Sequence, residues 1–167
     1  MSRAFVREDD VGDADALPER PQSGHPNFIT PAGLQALEKR FAALAERRAA
    51  LAAAPDMTQD EGLRQMDRDL RWLRSRIERA IPVAPGEGEP EAVAFGTEAT
   101  VKDEAGRKAV YALVGEDEAD PGNRRVSWTS PLGRALMGAK PGDWVTWPRP
   151  AGDVELEVLS VRYPRAK

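Results

Sequence analysis

The chain has 167 residues, of which 31% are charged and 41% are hydrophobic, and its formal net charge is −4. This composition predicts a folded chain with one ordinary domain, or a small domain plus an extended element, and it excludes a wholly disordered protein. Because the chain has no cysteine and His25 is its one histidine, disulfides and thiolate chemistry are excluded and no zinc site is expected.

Residues 1–27 are acidic and rich in proline, and their apolar residues are too sparse to form a core. This pattern predicts a flexible acidic tail that keeps the chain soluble, with mimicry of nucleic acid or shielding of a basic face as the alternative. The start of the chain lacks the apolar stretch of a signal peptide, and no run approaches the ~20 apolar residues of a membrane helix. We therefore expect a cytoplasmic protein that does not contact membranes.

The next segment begins with a helix signal. Thr30 is a typical N-cap residue, and Pro31 suits the first helical position. Large apolar residues then recur at alternating intervals of three and four, with Arg48 in the one position that interrupts the pattern, and Pro55 ends the segment. The apolar positions are Leu34, Leu37, Phe41, Leu44 and Leu51.

A second helix follows with the same spacing. Thr58 as N-cap and Glu61 three residues later form the pattern of a capping box, and Ile81 and Pro82 close the segment. Two matched apolar seams joined by a short turn predict an antiparallel coiled-coil hairpin over residues 28–81, with a reach of roughly 30 Å. The second seam consists of Leu63, Met66, Leu70, Leu73 and Ile77.

The second helix also carries a stripe of arginines, the basic track, which consists of Arg64, Arg68, Arg71 and Arg79. Two functions remain open for this stripe. It is either the solvated flank of the coiled coil, paired with acids one turn away, or a basic surface that faces nucleic-acid phosphates or an acidic protein.

Residues 82–96 are rich in proline, glycine and glutamate and predict a linker. From residue 97 the apolar pattern changes to period two, so residues 97–163 predict a five-stranded antiparallel sheet. One short helix accompanies the sheet, with Ser130 as N-cap and Pro131 in the first position. The predicted fold class is therefore α+β. No catalytic or nucleotide-binding motif occurs in this domain, so we expect an interaction protein without a cofactor of its own.

Three stretches resemble the GreA/GreB family of transcript-cleavage factors of bacterial RNA polymerase. They are FITPAGLQALEKRF, MDRDLRWLRSRIERAIPV, and SPLGRALMG followed by PGD, and the resemblance covers about residues 28–163. It implies an FKBP-like C-terminal domain that docks at the rim of the polymerase secondary channel. It also implies a coiled coil that passes down the channel and can contact the transcript RNA. By the same resemblance, the polymerase-docking residues are Thr129, Ser130 and Pro131.

In that family two acidic residues at the tip of the coiled coil help to hold a Mg²⁺ ion and a water at the polymerase active centre. On the family motif Gly-Asp-x-Ser-Glu-Asn, Asp56 matches the first acid, Gln59 falls on the second acid, and Asp60 falls on the asparagine. The candidate tip acids are therefore Asp56, Asp60 and Glu61, and any Mg²⁺ would be shared with the polymerase through Asp56. An amide at position 59 brings no charge, so we expect weaker metal binding than in the family.

The arms of the hairpin also look about one heptad shorter than those of the family, which is roughly 10 Å of reach. The resemblance therefore implies a polymerase-binding elongation factor that modulates transcription with weak or no stimulation of transcript cleavage. An active cleavage factor that uses the tip acids is the first alternative. The second is a coiled-coil protein that binds DNA or RNA through the basic track without polymerase, and the third is a prolyl isomerase based on the FKBP-like fold.

Overall fold

A computed structural model of the chain describes residues 17–54 and 59–165. A helical hairpin precedes a β domain with one short helix, which confirms the predicted α+β class. The hairpin consists of α1, Pro31–Ala53, and α2, Asp60–Glu78. Over the part of the chain that the structure describes, neither of these helices nor any other is long and apolar enough to cross a membrane.

Both helices of the hairpin begin close to their predicted positions. At α1 the Thr30 hydroxyl accepts a hydrogen bond from the Gly33 N–H over 3.0 Å, which confirms the predicted N-cap. At α2 the N-cap is Gln59, one residue after the predicted Thr58, because the Gln59 carbonyl accepts the first helical hydrogen bond, from the Leu63 N–H over 3.0 Å. Thr58 itself lies outside the described residues.

Among the described residues, the buried core of the hairpin lies at its base. Ile29, Leu37 and Leu73 are buried there, with half-buried seam residues packed around them. Two short strands close the base, since β1, Phe28–Ile29, pairs in parallel with β2, Ile81–Pro82. Because a two-helix hairpin has little core of its own, its stability depends on what supports this base.

Arg48, which interrupts the apolar seam of α1, reaches across the hairpin to Asp67 on α2. The Arg48 Nε and Nη2 atoms lie 2.9 Å and 3.1 Å from the two carboxylate oxygens of Asp67. The hydrogen bond from Arg48 holds the pKa of the Asp67 carboxyl below its usual value. A polar pair at a seam position aligns the two helices, because any other register would leave it unpaired.

The β domain contains five strands: β3, Glu98–Asp103; β4, Lys108–Val114; β5, Arg125–Ser127; β6, Trp144–Trp147; and β7, Val154–Arg162. They form one sheet in the order β5-β4-β3-β7-β6. The pairs β3–β4, β3–β7 and β6–β7 are antiparallel, as predicted.

The pairing of β5 with β4 is parallel, so the prediction of a wholly antiparallel sheet was wrong at this edge. A tight hairpin turn would have produced antiparallel strands. Instead, the chain between β4 and β5 forms two single turns of 3-10 helix, Glu116–Glu118 and Pro121–Asn123. These turns carry the chain back along the sheet edge, so that β5 runs in the same direction as β4.

The short helix α3, Pro131–Leu136, packs on one face of the sheet through Leu132 and Leu136, which are both buried. Its close approach requires Gly133, because a Cβ atom at that position would lie 2.1 Å from the carbonyl oxygen of Ser127. The helix is thereby held against the backbone that immediately precedes it.

The β domain begins earlier than predicted. Val93, which the sequence assigned to the linker of residues 82–96, belongs to the buried core of the β domain. Its N–H donates to the Ala139 carbonyl over 2.8 Å, and its carbonyl accepts from the Gly138 N–H over 2.7 Å. The segment that leads into residue 97 is therefore part of the globular unit.

Candidate functional site

The tip of the hairpin, residues 55–61, is described from Gln59 onwards, and Asp56 lies outside the described residues. Asp60 and Glu61 are exposed in the first turn of α2, where the positive end of the helix dipole favours carboxylates. The Gln59 Oε1 atom is buried without a hydrogen-bond partner. Two exposed carboxylates can ligate a hard cation that is held elsewhere. The described residues contain no group of three acidic or histidine side chains that could hold a metal ion by itself.

Residues 19–22, here called the strap, lie along α2 beside the basic track. The Glu19 carboxylate is 2.7 Å from Arg71 Nε, and Gln22 Oε1 accepts a hydrogen bond from Arg79 Nη1 over 3.0 Å. Two arginines of the basic track are therefore engaged within the chain. The sequence assigned the strap to an acidic tail, and the structure instead places it on the helix.

Arg20 lies at the centre of the strap. Its guanidinium carbon is 4.1 Å from the centroid of the Trp72 ring, and its Nη1 is 3.1 Å from Asp69 Oδ1. Arg68 Nε lies 3.8 Å from the same Asp69 oxygen, while Arg64 is exposed farther towards the tip. The basic track is thus a partly covered surface with internal acid partners, which favours the interpretation of a solvated flank.

The hairpin and the β domain meet at a junction centred on Arg76 of α2, which is 3% exposed. Arg76 Nε is 2.7 Å from Asp117 Oδ2, and its Nη2 is 3.5 Å from Glu116 Oε2 and donates to Asn27 Oδ1. The Asn27 side chain in turn donates to the Arg76 carbonyl over 2.8 Å. Because a buried charge is tolerated only when it is paired, these contacts fix α2 against the turn Glu116–Glu118.

Glu118 ties α1 to the same turn. Its carboxylate accepts from the Thr30 N–H over 2.9 Å and from the Gly115 N–H over 3.0 Å, and it also accepts from the Thr30 hydroxyl. Arg125 Nη2, 3.2 Å away, balances its charge. A Cβ atom at Gly33 would lie 2.3 Å from the Glu118 carboxylate, so glycine is needed there. The start of α1 is therefore fastened to the β domain.

The predicted docking residues lie together at the start of α3. The Ser130 hydroxyl accepts from the Gly133 N–H over 3.0 Å and donates to the Ser127 carbonyl over 2.7 Å, so it acts as the helix cap. Pro131 beside it is exposed. The Thr129 hydroxyl points the other way and donates to a glutamate of the junction.

That glutamate is Glu116, and it is shared between the docking end and the hairpin. Its Oε1 accepts from the Thr129 hydroxyl over 3.2 Å, while its Oε2 faces Arg76 Nη2 at 3.5 Å. One carboxylate therefore contacts both the predicted docking residues and the base of α2.

The junction acids did not stand out in the sequence. Three successive acids at Glu116–Glu118, with Gly115 directly before them and Pro121 three residues after them, are typical of a solvated loop. One signal was present in α2, because Arg76 follows the seam residue Leu73 by three positions and so falls on the apolar side of the helix. An arginine in that position requires an acidic partner from another element, but the sequence does not say which one.

A family model and relatives in sequence indicate the same family. Residues 88–163 match the family model described as transcription elongation factor, GreA/GreB, C-terminal. The chain is 35% identical over 153 residues to the elongation factor GreB of Neisseria meningitidis serogroup B, which covers 82% of this chain and 94% of that protein. It is 40% identical over 95 residues to GreA of Pelobacter propionicus, which covers 56% of this chain and 60% of that protein. A GreA/GreB elongation factor structure from Nitrosomonas europaea aligns with a TM-score of 0.41 and 24% identity, over 81% of this chain and 98% of that one.

Proposed function

This chain belongs to the GreA/GreB family of transcription elongation factors, and from that premise we propose that it docks on bacterial RNA polymerase and modulates elongation. The β domain binds the rim of the secondary channel through the start of α3, and the hairpin enters the channel. As a member of this family, the chain is an accessory factor and not an enzyme in its own right.

The observation that carries this proposal is the junction between the two parts. A hairpin can place its tip at a fixed point on a bound protein only if its base does not swing relative to the docked domain. Arg76 ties α2 to the turn Glu116–Glu118, and the last residue of that turn ties the start of α1. Because both helices are bonded to the same turn, the hairpin cannot rotate freely about either contact.

The residues at the tip of the hairpin determine how strongly the docked factor stimulates transcript cleavage. With 23 residues, α1 spans about 35 Å. A Mg²⁺ ion at the polymerase active centre stabilises developing charge and activates water, and the chain would contribute ligands from Asp56 and the neighbouring exposed acids. Because Gln59 replaces the second acid of the family motif with a neutral amide, we propose weak or no stimulation of transcript cleavage.

The decisive experiment is a transcript-cleavage assay on backtracked polymerase. The chain is added alone, and then in competition with a GreA or GreB factor of known activity. Our proposal predicts little shortening of the RNA by the chain alone and inhibition of the added factor at higher concentrations of the chain. Failure to inhibit the competitor at any concentration would contradict docking at the shared site.

An active cleavage factor is the second candidate, and the exposure of Asp60 and Glu61 at the start of α2 favours it. It predicts substantial shortening of the RNA that is lost in Asp56→Ala. The binding of nucleic acid without polymerase receives less support, because the strap already occupies Arg71 and Arg79 of the basic track. Steeply salt-dependent binding of DNA or RNA to the isolated chain would revive it.

A further inference from the structure

A groove with a volume of about 530 Å³ lies between α3 and the turn that follows β6. Pro131 and Arg134 line it on the helix side, and Pro148, Arg149 and Pro150 line it on the turn side. It therefore includes Pro131, one of the predicted docking residues.

Among the residues that the structure describes, the two arginines of the groove have no acidic partner. Arg134 and Arg149 are both exposed, and neither forms an ion pair with another of the described residues. The Arg149 guanidinium carbon lies 5.0 Å from the centroid of the Trp147 ring, which restrains its position. Arg107, Arg125 and Arg162 of the same domain each form an ion pair with an acidic side chain. The groove therefore presents two guanidinium groups whose charges are not neutralised by a described side chain.

The chemistry of the lining defines the occupant. Proline has no N–H, so the three prolines offer apolar surface but no hydrogen-bond donor. The donors come from the guanidinium groups, which match carboxylates in a bidentate geometry. The groove thus suits a segment that carries a carboxylate next to an apolar side chain. Because proline rings and a helix anchored by buried Leu132 and Leu136 are rigid, little ordering is required on binding.

We propose that this groove binds an acidic segment of RNA polymerase and so extends the docking contact beyond Pro131. The inference rests on the proposed function. A protein segment fits better than nucleic acid, because residues 97–163 contain nine Lys or Arg against eleven Asp or Glu, a net charge of −2. Two arginines on a slightly acidic domain attract a local carboxylate, whereas a polyphosphate backbone requires an extended basic surface.

The test measures the affinity of the full chain for purified core RNA polymerase at two salt concentrations. The double variant Arg134→Glu with Arg149→Glu should bind at least about tenfold more weakly and lose much of its salt dependence. The double variant Lys108→Glu with Arg124→Glu is the matched control, because it also reverses two positive charges, on exposed residues outside the groove, and its affinity should stay within about twofold of the wild type. The polymerase affinity of the neutral variant Arg134→Gln with Arg149→Gln should lie between the affinities of the charge-reversed variant and the control. If thermal melting shows that the charge-reversed variant is misfolded, the neutral variant takes its place in the test.

The outcomes separate this inference from the proposed function. If Pro131→Ala weakens polymerase binding but both groove variants bind like the control, the groove assignment is wrong and docking stands. If the wild type does not bind polymerase at all, both are wrong. A single-stranded oligonucleotide serves as the competing probe: if the groove variants lose oligonucleotide binding while their polymerase affinity is unchanged, the groove is a phosphate site and the proposal is overturned.

Discussion

Replacing Arg76 with methionine should weaken the attachment of the hairpin to the β domain. The side chain of Asp117, its closest acidic partner, is 9% exposed, and Asn27 is 4% exposed, so both would lose a partner in a largely dry site. Breaking a buried ion pair costs about 3–5 kcal/mol. Because Glu116 has a more accessible side chain and can be rehydrated, we expect the lower end, about 3 kcal/mol. For a chain of this size that loss lowers Tm by about 6–12 °C.

The assay is thermal and urea unfolding followed by tryptophan fluorescence, which reports on Trp72 in the hairpin and on the tryptophans of the β domain. Arg74→Met is the matched control, because Arg74 is an exposed arginine of the same helix with one ring contact, to Phe41. Its cost should stay below about 1 kcal/mol. Equal effects of the two variants would refute the role assigned to the junction.

A double-mutant cycle tests whether the cost comes from the pair itself. Asp117→Leu alone should destabilise the protein, because it leaves the Arg76 charge buried with fewer acceptors. The combined variant, Arg76→Met with Asp117→Leu, should be less destabilised than the sum of the single variants by more than about 1.5 kcal/mol, because it leaves no uncompensated charge from this pair. Strict additivity would show that the two side chains do not interact in solution.

Three further predictions concern other contacts. Arg48→Met should raise the pKa of the Asp67 carboxyl towards its usual value, which NMR titration would measure. Because that pKa is lowered in the folded state, the pair stabilises the protein at pH values above the usual aspartate pKa. This stabilisation is lost as the pH falls through the lower pKa of the folded state. Gly133→Ala should cost about 2 kcal/mol or more in thermal unfolding, because its Cβ would meet backbone 2.1 Å away, and it should weaken polymerase pull-down by displacing α3. Arg20→Ala should release the strap, so that hydrogen exchange and limited proteolysis at residues 19–22 accelerate while the helical content measured by circular dichroism is unchanged.

The starts of elements were predictable because their signals are local. A hydroxyl residue followed by proline marks the start of α1 at Thr30 and of α3 at Ser130, and both hydroxyls accept the expected N–H. The turn between β3 and β4 is similarly local, since Gly106 adopts a φ of 81° that other residues disfavour. Such features depend on three or four neighbouring residues, which the sequence displays directly.

Contacts between distant segments were not predictable in the same way. The strap was assigned to a tail because its composition is polar, and its partners lie far along the chain, as in Glu19 with Arg71, 52 residues apart. The direction of β5 depends on how two 3-10 turns route the chain, and composition does not encode that route. At the tip, Asp56 lies outside the described residues, so its part in a metal site stays a prediction.

The shared carboxylate of Glu116 determines how the docking residues must be tested. Thr129→Val keeps the shape of the side chain but removes the hydroxyl that donates to Glu116, and the same carboxylate faces Arg76. Its replacement therefore changes a docking residue and the attachment of the hairpin together. Pro131 takes no part in the junction hydrogen bonds, so Pro131→Ala tests docking alone. We compare the polymerase affinity of the two variants and hydrogen exchange at the base of α2. If the affinity falls further in Thr129→Val, and exchange accelerates in that variant only, then part of the affinity depends on the attachment of the hairpin to the β domain.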